Sequence, residues 1–169
     1  MPKKIRPIRV EGNIAYVPLS RGYEAEIDAA DILLVAGFNW HAMVCSHGVY
    51  AKRNDLCGRK YRTVLMHRAI MGAQDGLEVD HIDGNGLNNC RSNLREVTRS
   101  QNMMNQRISK RNKSGSKGVS WDRAKGKWRA QIMVNKKMIC IGRFDDIESA
   151  SAAYRDASAK LHGEFGREE

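Results

Sequence analysis

The chain has 169 residues, a formal net charge of +10 and an isoelectric point of about 9.7. An apolar fraction of 41% is enough to build a core and excludes wholesale disorder, while the absence of any run of about eighteen apolar residues argues against a membrane span. The length accommodates one ordinary domain or two small ones.

The excess charge is not evenly spread. Positions 99–143 hold thirteen Lys or Arg and one acidic residue, Asp122, whereas from Asp145 onward seven acidic residues face three basic ones. A concentrated basic block suits a partner coated in phosphate. The opening MPKKIRPIRV lacks the apolar core of a secretory signal, so a cytoplasmic, non-secreted protein is expected. Cys45, Cys57, Cys90 and Cys140 form no C-x-x-C pair and read as reduced thiols. Cys45, His47, Cys57 and His67 are too widely spaced for the paired ligands zinc prefers, so a structural zinc is not expected.

In chain order, Ile8, Val10, Ile14, Tyr16 and Val17 predict an opening hairpin around Gly12-Asn13. Asp28 should cap a short apolar helix through about Val35, ended by Gly37. Strands are expected at 40–45 and 49–53, joined by a His47-Gly48 turn, and at 60–66. Lys52, Arg53, Arg59, Lys60 and Arg62 cluster in this ribbon, which fits solvated strand faces as well as it fits contact with nucleic acid.

The section from 66 to about 107 has a glycine- and asparagine-rich middle, Asp83-Gly-Asn-Gly-Leu-Asn-Asn89, that no regular element accommodates. Thr98 and Gln101 have capping-box spacing, so a helix should start at about Arg99 and carry Asn102 in its first turn. Residues 109–116, polar and basic, read as a linker.

Beyond it, strands are expected at 119–121, 128–134 and 138–144, with turns at 124–126 and 135–137. A helix started by Asp145, with Glu148 three residues on, should carry an apolar stripe of Ile147, Ala150, Tyr154, Ala157 and Leu161 and end at Gly163. In the second strand Trp128, Ala130, Ile132 and Val134 share one face, and Lys127, Arg129, Gln131 and Met133 the other. The helix should cover the first face and leave the second as an open cationic surface.

One constellation carries chemistry: V-D-H-I-D-G at 79–84, N-L-R at 93–95 and S-Q-N at 100–102. Phosphodiester hydrolysis needs an activated water, a proton acceptor and positive charge near phosphorus. A histidine of near-neutral pKa suits the acceptor role, and a carboxylate with an amide oxygen can hold one hard cation.

With L-M-H-R-A-I-M-G, V-D-H-I-D-G-N-G-L-N-N, S-N-L-R-E-V-T and S-Q-N across about 61–105, the chain resembles the phage- and intron-type HNH homing endonucleases, whose core is the ββα-metal fold. The resemblance implies His81 as general base and Asn93 as the residue that braces the loop and orients that histidine. It implies Asp80 and Asn102 as ligands of one divalent cation, magnesium or manganese. Asn102 in place of a final histidine matches the H-N-N subtype. His67 and Arg68 also match, with a structural role favoured, and Arg95 is a further supporting residue. Asp83, beside Gly84, suits a turn better than a second metal ligand.

Residues 116–165, through Lys117-Gly-Val119, Gly126-Lys-Trp128, Ile141-Gly-Arg-Phe144 and the alanine-rich helix with Tyr154, resemble the plant ethylene-response-factor (Apetala-two) DNA-binding domain. That resemblance implies that the sheet lies in the major groove, with Lys117, Ser120, Lys127, Arg129, Gln131, Met133, Met138 and Cys140 toward DNA. Arg and Trp are usual in that family where this chain has Ser120, Met133, Met138 and Cys140, so the binding mode carries over and the plant target does not. Arg123, Lys125, Lys136 and Arg143 are expected at phosphates.

The fold class expected is therefore α+β: a ββα-metal nuclease core with an N-terminal β-rich extension at 1–107, a basic linker at 108–115, and a three-stranded antiparallel sheet with one packed helix at 116–169. The partner is double-stranded DNA, in a host cell's cytoplasm or nucleoid. The expected protein is a monomer or weak dimer that cuts DNA in a sequence-directed way, as a homing endonuclease or nickase. The alternative is a non-catalytic DNA-binding regulator that keeps the HNH scaffold.

Overall fold

The computed structural model describes residues 4–74, 76–105, 108, 112–134 and 137–166. Its architecture is α+β, and the chain divides into two compact units, Met1–Val97 and Thr98–Glu169. The division falls before the helix bearing Asn102, whereas the sequence places the linker at 108–115; residues 109–111 lie outside the described residues. No described helix is long and apolar enough to cross a membrane.

In the first unit, β1 (Arg9–Glu11), β2 (Ile14–Pro18) and β3 (Glu24–Asp28) form an antiparallel sheet in that order. The expected hairpin turns at Gly12-Asn13. Alternate residues of β2 and β3 (Ala15, Val17, Ala25 and Ile27) point inward and are fully or almost fully buried, as a half-covered strand requires. The third strand was not anticipated, and it alters the role of Asp28. No side-chain cap is made from Asp28; its Oδ2 instead accepts the Arg91 backbone N–H at 2.7 Å. The chain then passes a 3-10 turn into a single helical turn, α1 (Ile32–Val35). Trp40, completely buried, closes this part of the core and donates from Nε1 to the Val35 carbonyl at 2.9 Å.

A second antiparallel sheet holds β4 (His41–Cys45), β5 (Gly48–Cys57) and β6 (Lys60–Leu65). Strand β5 runs four residues beyond the expected end, so β5 and β6 continue as a hairpin past the body of the unit. Cys45 and Cys57 stand at its opposite ends, facing Gly48 and Lys60. The chain leaves β6 one residue early and enters α2 (Met66–Met71), a helix not anticipated from the sequence, where Met66 alone was expected as strand. Met66 and Ile70 anchor α2 in the core, and its Arg68 guanidinium donates to the Leu77, Gln74 and Ala73 carbonyls, tying down the segment that leads onward. The antiparallel pair β7 (Glu78–His81) and β8 (Leu94–Val97) completes the unit.

The second unit opens with α3 (Arg99–Met104), and the anticipated capping box is present: Thr98 Oγ1 accepts the Gln101 N–H, and the Gln101 side chain accepts the Thr98 N–H at 2.8 Å. Between 112 and 116 the chain is organised, because Asn112 Oδ1 accepts from the Ser114 and Gly115 N–H groups. Strands β9 (Val119–Asp122), β10 (Lys127–Val134) and β11 (Lys137–Phe144) form an antiparallel sheet with β10 central and a bulge at Ala130/Gln131. Helix α4 (Ile147–His162) covers one face.

Two details of α4 correct the sequence reading. Asp146, not Asp145, caps it, accepting the Ser149 N–H at 2.6 Å. The buried stripe is Ala150, Tyr154, Ser158 and His162, with Ile147 and Ala157 packed beside it, while Leu161 is 48% exposed. A polar residue can take the last inward position because His162 Nε2 donates to the Met133 carbonyl at 2.9 Å. Gly118 is obligatory: at φ +69° a Cβ would stand 2.1 Å from the Tyr154 ring.

Candidate active site and nucleic-acid face

The site in the first unit is assembled by cross-strand register. Pairing of β7 with β8 sets Asp80 opposite Arg95 and His81 opposite Leu94. Opposite residues share a face, so the Asp80 and Arg95 side chains meet. Arg95 Nε and Nη2 both reach Asp80 Oδ2, at 3.1 and 3.0 Å, and both side chains are largely buried. Sequence spacing gave no sign of this pair, which depends on the strand register.

His81 is buried among rings. The His67 imidazole, carried on α2, meets it edge to face with centroids 4.8 Å apart, and the Tyr50 ring of β5 lies 5.9 Å from it. Its Nε2 is 3.4 Å from Asn89 Oδ1. The Asn89 amide is oriented independently, since Nδ2 donates to the Leu87 carbonyl at 3.0 Å. Oδ1 therefore faces the imidazole at Nε2. Burial lowers the His81 pKa, against the opposing pull of the Asn89 hydrogen bond and of the Asp83 and Asp80 charges. A neutral imidazole at pH 7 is equipped to accept a proton.

The loop between β7 and β8 is ordered by its own side chains. Asp83 Oδ1 accepts from the Asn85 N–H (2.7 Å) and Asn93 Nδ2 (2.9 Å), and its Oδ2 from Asn88 Nδ2 (2.9 Å). Burial works against ionisation of Asp83, yet the hydrogen bonds from Asn85, Asn88 and Asn93 outweigh it and hold the carboxyl below its usual range. Such a carboxylate is a turn organiser, as its place beside Gly84 suggested. Asn93 also accepts the Asp83 N–H at 3.0 Å and donates to the Asn88 carbonyl at 2.8 Å. Asn93 thus joins the two ends of the loop, and the Asn89 side chain, not singled out in the sequence, rests on His81. The loop is sewn to β3 by Glu26 N–H to Leu87 O and Asn89 N–H to Glu26 O, at 2.8 and 2.7 Å. Below it the Arg91 guanidinium holds the buried Asp31 and the Ile70 carbonyl.

His67 Nδ1 is buried with no hydrogen-bond partner among the described residues, and burial, reinforced by His81 and Arg68, lowers the His67 pKa to about 3. Asp80 and Asn102 each offer a hard oxygen donor. Among the described residues no three His, Cys, Asp or Glu gather around a common point. Asn102, half-buried in α3, belongs to the second unit.

In the second unit, Ser120, Arg129 and Arg143 lie in one cross-strand row on the side of the sheet away from α4. Arg129 Nε and Ser120 Oγ are buried with no partner among the described residues. The other candidates there are differently engaged. Lys127 pairs with Asp145 at 3.1 Å and Arg143 with Asp122 at 2.9 Å, while Lys117 Nζ donates to the Met104 carbonyl at 2.6 Å. Arg123 and Lys125 are exposed in the β9–β10 turn, and Gln131 is half-buried on the outward face. Lys136 lies outside the described residues.

A family model described as HNH endonuclease matches residues 64–104. The chain is 37% identical to Protein 3.8 of Escherichia phage T7 over 92 residues, covering 54% of this chain and 75% of that protein. It is also 37% identical over 87 residues to an uncharacterized HNH endonuclease of Acanthamoeba polyphaga mimivirus, covering 52% of this chain and 44% of that one. No solved structure matches the chain significantly.

Proposed function

This chain belongs to the family of phage T7 Protein 3.8 and carries an HNH endonuclease domain over residues 64–104, and from that premise we propose that it is a sequence-directed DNA endonuclease in which His81 is the general base. The observation that carries the reading is the buried, neutral His81 imidazole held beside Asn89, a group suited to take the proton of the attacking water. Asp80 and Asn102 would hold a single magnesium or manganese ion. Such an ion, when bound, offsets the negative charge that gathers on the phosphate during attack. Asn93 keeps the 82–93 loop in shape, Arg95 fixes the orientation of the Asp80 carboxylate, and His67 packs against the base and excludes water from one side of it. Arg68 secures the segment between α2 and β7.

The second unit is the DNA-holding element, supported by its basic outward sheet face and its likeness to the ethylene-response-factor domain. Arg129 and Gln131 face the duplex, and Lys117, Arg123, Lys125, Lys127, Lys136 and Arg143 supply cationic contacts along it. The catalytic domain spans 1–107, the linker 108–115 and the DNA-binding domain 116–169. One such centre in a monomer nicks one strand, as suits a homing endonuclease of the nicking kind.

The test is cleavage of plasmid or cognate-site DNA with magnesium or manganese. His81→Ala should lower the cleavage rate by roughly 100- to 10,000-fold, the usual worth of a positioned general base, and leave DNA affinity nearly unchanged. A parallel fall in both would make His81 structural. Arg129→Ala should weaken binding and reduce the log–log salt slope by roughly one unit, the signature of one lost phosphate contact; an unchanged slope removes Arg129 from that role.

A further inference from the structure

The basic ribbon noted in the sequence is a projecting finger whose two faces differ. From Leu56 through Thr63 every residue of the β5–β6 hairpin is exposed, with Leu56 at 67% and Tyr61 at 76%. Leu56 and Tyr61 are opposite one another in the register, as are Asn54 and Thr63, so they share one face. Asp55 with Arg62 and Cys57 with Lys60 occupy the other, and Arg59 sits in the turn. Arg59, Lys60 and Arg62 make no ion pair or hydrogen bond among the described residues. The carboxylate within the hairpin, Asp55, is already engaged, held by Arg53 Nε and Nη2 at 2.8 and 3.0 Å. The root of the finger is rigid by contrast: Ala51 is fully buried, and the Arg53 guanidinium stacks 3.6 Å from the centroid of the Phe38 ring.

A solvent-exposed Leu–Tyr pair at the end of a finger bearing three unneutralised cations has no structural work inside the unit. Resting on the DNA-cleaving reading above, we propose that the β5–β6 hairpin enters the major groove of the duplex, with Arg59, Lys60 and Arg62 on phosphates and the Leu56–Tyr61 pair against base edges. The dimensions agree. A two-stranded ribbon fits the major groove, which is about 12 Å wide and about 8.5 Å deep. From Asn54 to Cys57 the strand advances about 10 Å at about 3.4 Å per residue, so the apolar pair near the tip reaches the groove floor. Apolar side chains there recognise the thymine methyl group. An acidic protein partner would meet the same cations, and the experiment separates the two.

Binding of the full chain to duplex DNA is measured as a function of salt in metal-free buffer, with dimethyl sulfate probing guanine N7 in the major groove and adenine N3 in the minor groove. The wild type is compared with R59A/K60A/R62A and with L56S/Y61S, whose solvent-exposed positions leave the fold intact; circular dichroism of each variant verifies this. The charge variant should lose the guanine N7 protection given by the finger and reduce the log–log salt slope by roughly 2 to 3 units, about 0.9 per phosphate contact. The apolar variant should keep the slope and lose preference at one or two base pairs. Slopes and protections equal to wild type in both variants overturn the proposal and leave the finger to a protein partner, while the endonuclease reading stands on continued cutting. Protection confined to adenine N3 overturns the groove assignment. A wild type that neither binds nor cuts DNA fails at the first arm, and there it is the endonuclease reading that falls and the finger's role with it.

Discussion

His67 and His81 meet edge to face inside the first unit, and neither ring has the solvent needed to carry a charge cheaply. The folded pKa of His67, about 3, lies far below the value of about 6.5 expected in an unfolded chain. Between those values the unfolded chain binds a proton that the folded one refuses, so stability is fully present above about pH 6.5 and is lost as pH falls toward 3. His81, shifted in the same direction by burial, adds to the effect. Metal-free protein should therefore show an unfolding free energy, from denaturant titration, that drops between pH 6.5 and 4 by an amount on the order of a few kcal/mol, with the midpoint falling accordingly. His67 ring signals in NMR should stay those of neutral imidazole at pH 5. A midpoint flat across that range would mean the rings are hydrated and the burial argument is wrong.

At the scale of elements, the 82–93 loop is shaped by what it must pass. Gly86 approaches β5 so closely that a Cβ would stand 2.5 Å from the Val49 carbonyl oxygen and 2.5 Å from the Tyr50 ring. The backbone contact cannot swing aside as a flexible side chain could. Gly86→Ala should then cost about 1–3 kcal/mol, the usual range for overpacking a filled site, and should shift Tyr50 from its place beside His81. Thermal unfolding measures the first effect and the cleavage rate the second. An unchanged melting temperature would show that the loop relaxes away from β5 without loss. The same loop shows how far local pattern can be read. The glycines and asparagines of 83–89 signalled a turn-rich segment, yet which amide joins the loop's ends and which touches the histidine was decided by bonds within the loop and by its pairing with β3.

For the whole molecule, each compact unit has its own core: one around Trp40, Ile27 and Met66, the other around Ala130, Ile132 and Tyr154. Separate cores predict separate folding. A fragment of residues 1–97 should give a cooperative thermal transition, and so should a fragment of 98–169. The first fragment, lacking Asn102, should not cut DNA, and the second should bind it with strong salt dependence and no cleavage. Loss of a cooperative transition in either fragment, followed by circular dichroism, would show that the units depend on one another. Placing Asn102 in the second unit also means that a truncation made inside the expected linker separates α3 from the rest of its unit, including the Lys117 hydrogen bond to the Met104 carbonyl.

Much about this protein was settled by residue order alone. The opening hairpin, the Thr98–Gln101 capping box, the three C-terminal strands and the apolar face of β10 are local matters, fixed by turn chemistry, hydrogen bonding over three residues and the period of two in a strand. The V-D-H motif with its downstream asparagines was likewise visible, because side chains clustered in sequence leave a pattern. What residue order did not determine was every contact made between distant segments: Arg95 on Asp80, Asn89 on His81, His67 against His81, and the diversion of Asp28 from helix cap to partner of Arg91. Those depend on strand register and on which surfaces are left to be covered once each element has formed. Local propensity carries no information on either, and only the packed structure chooses among the pairings that the sequence permits.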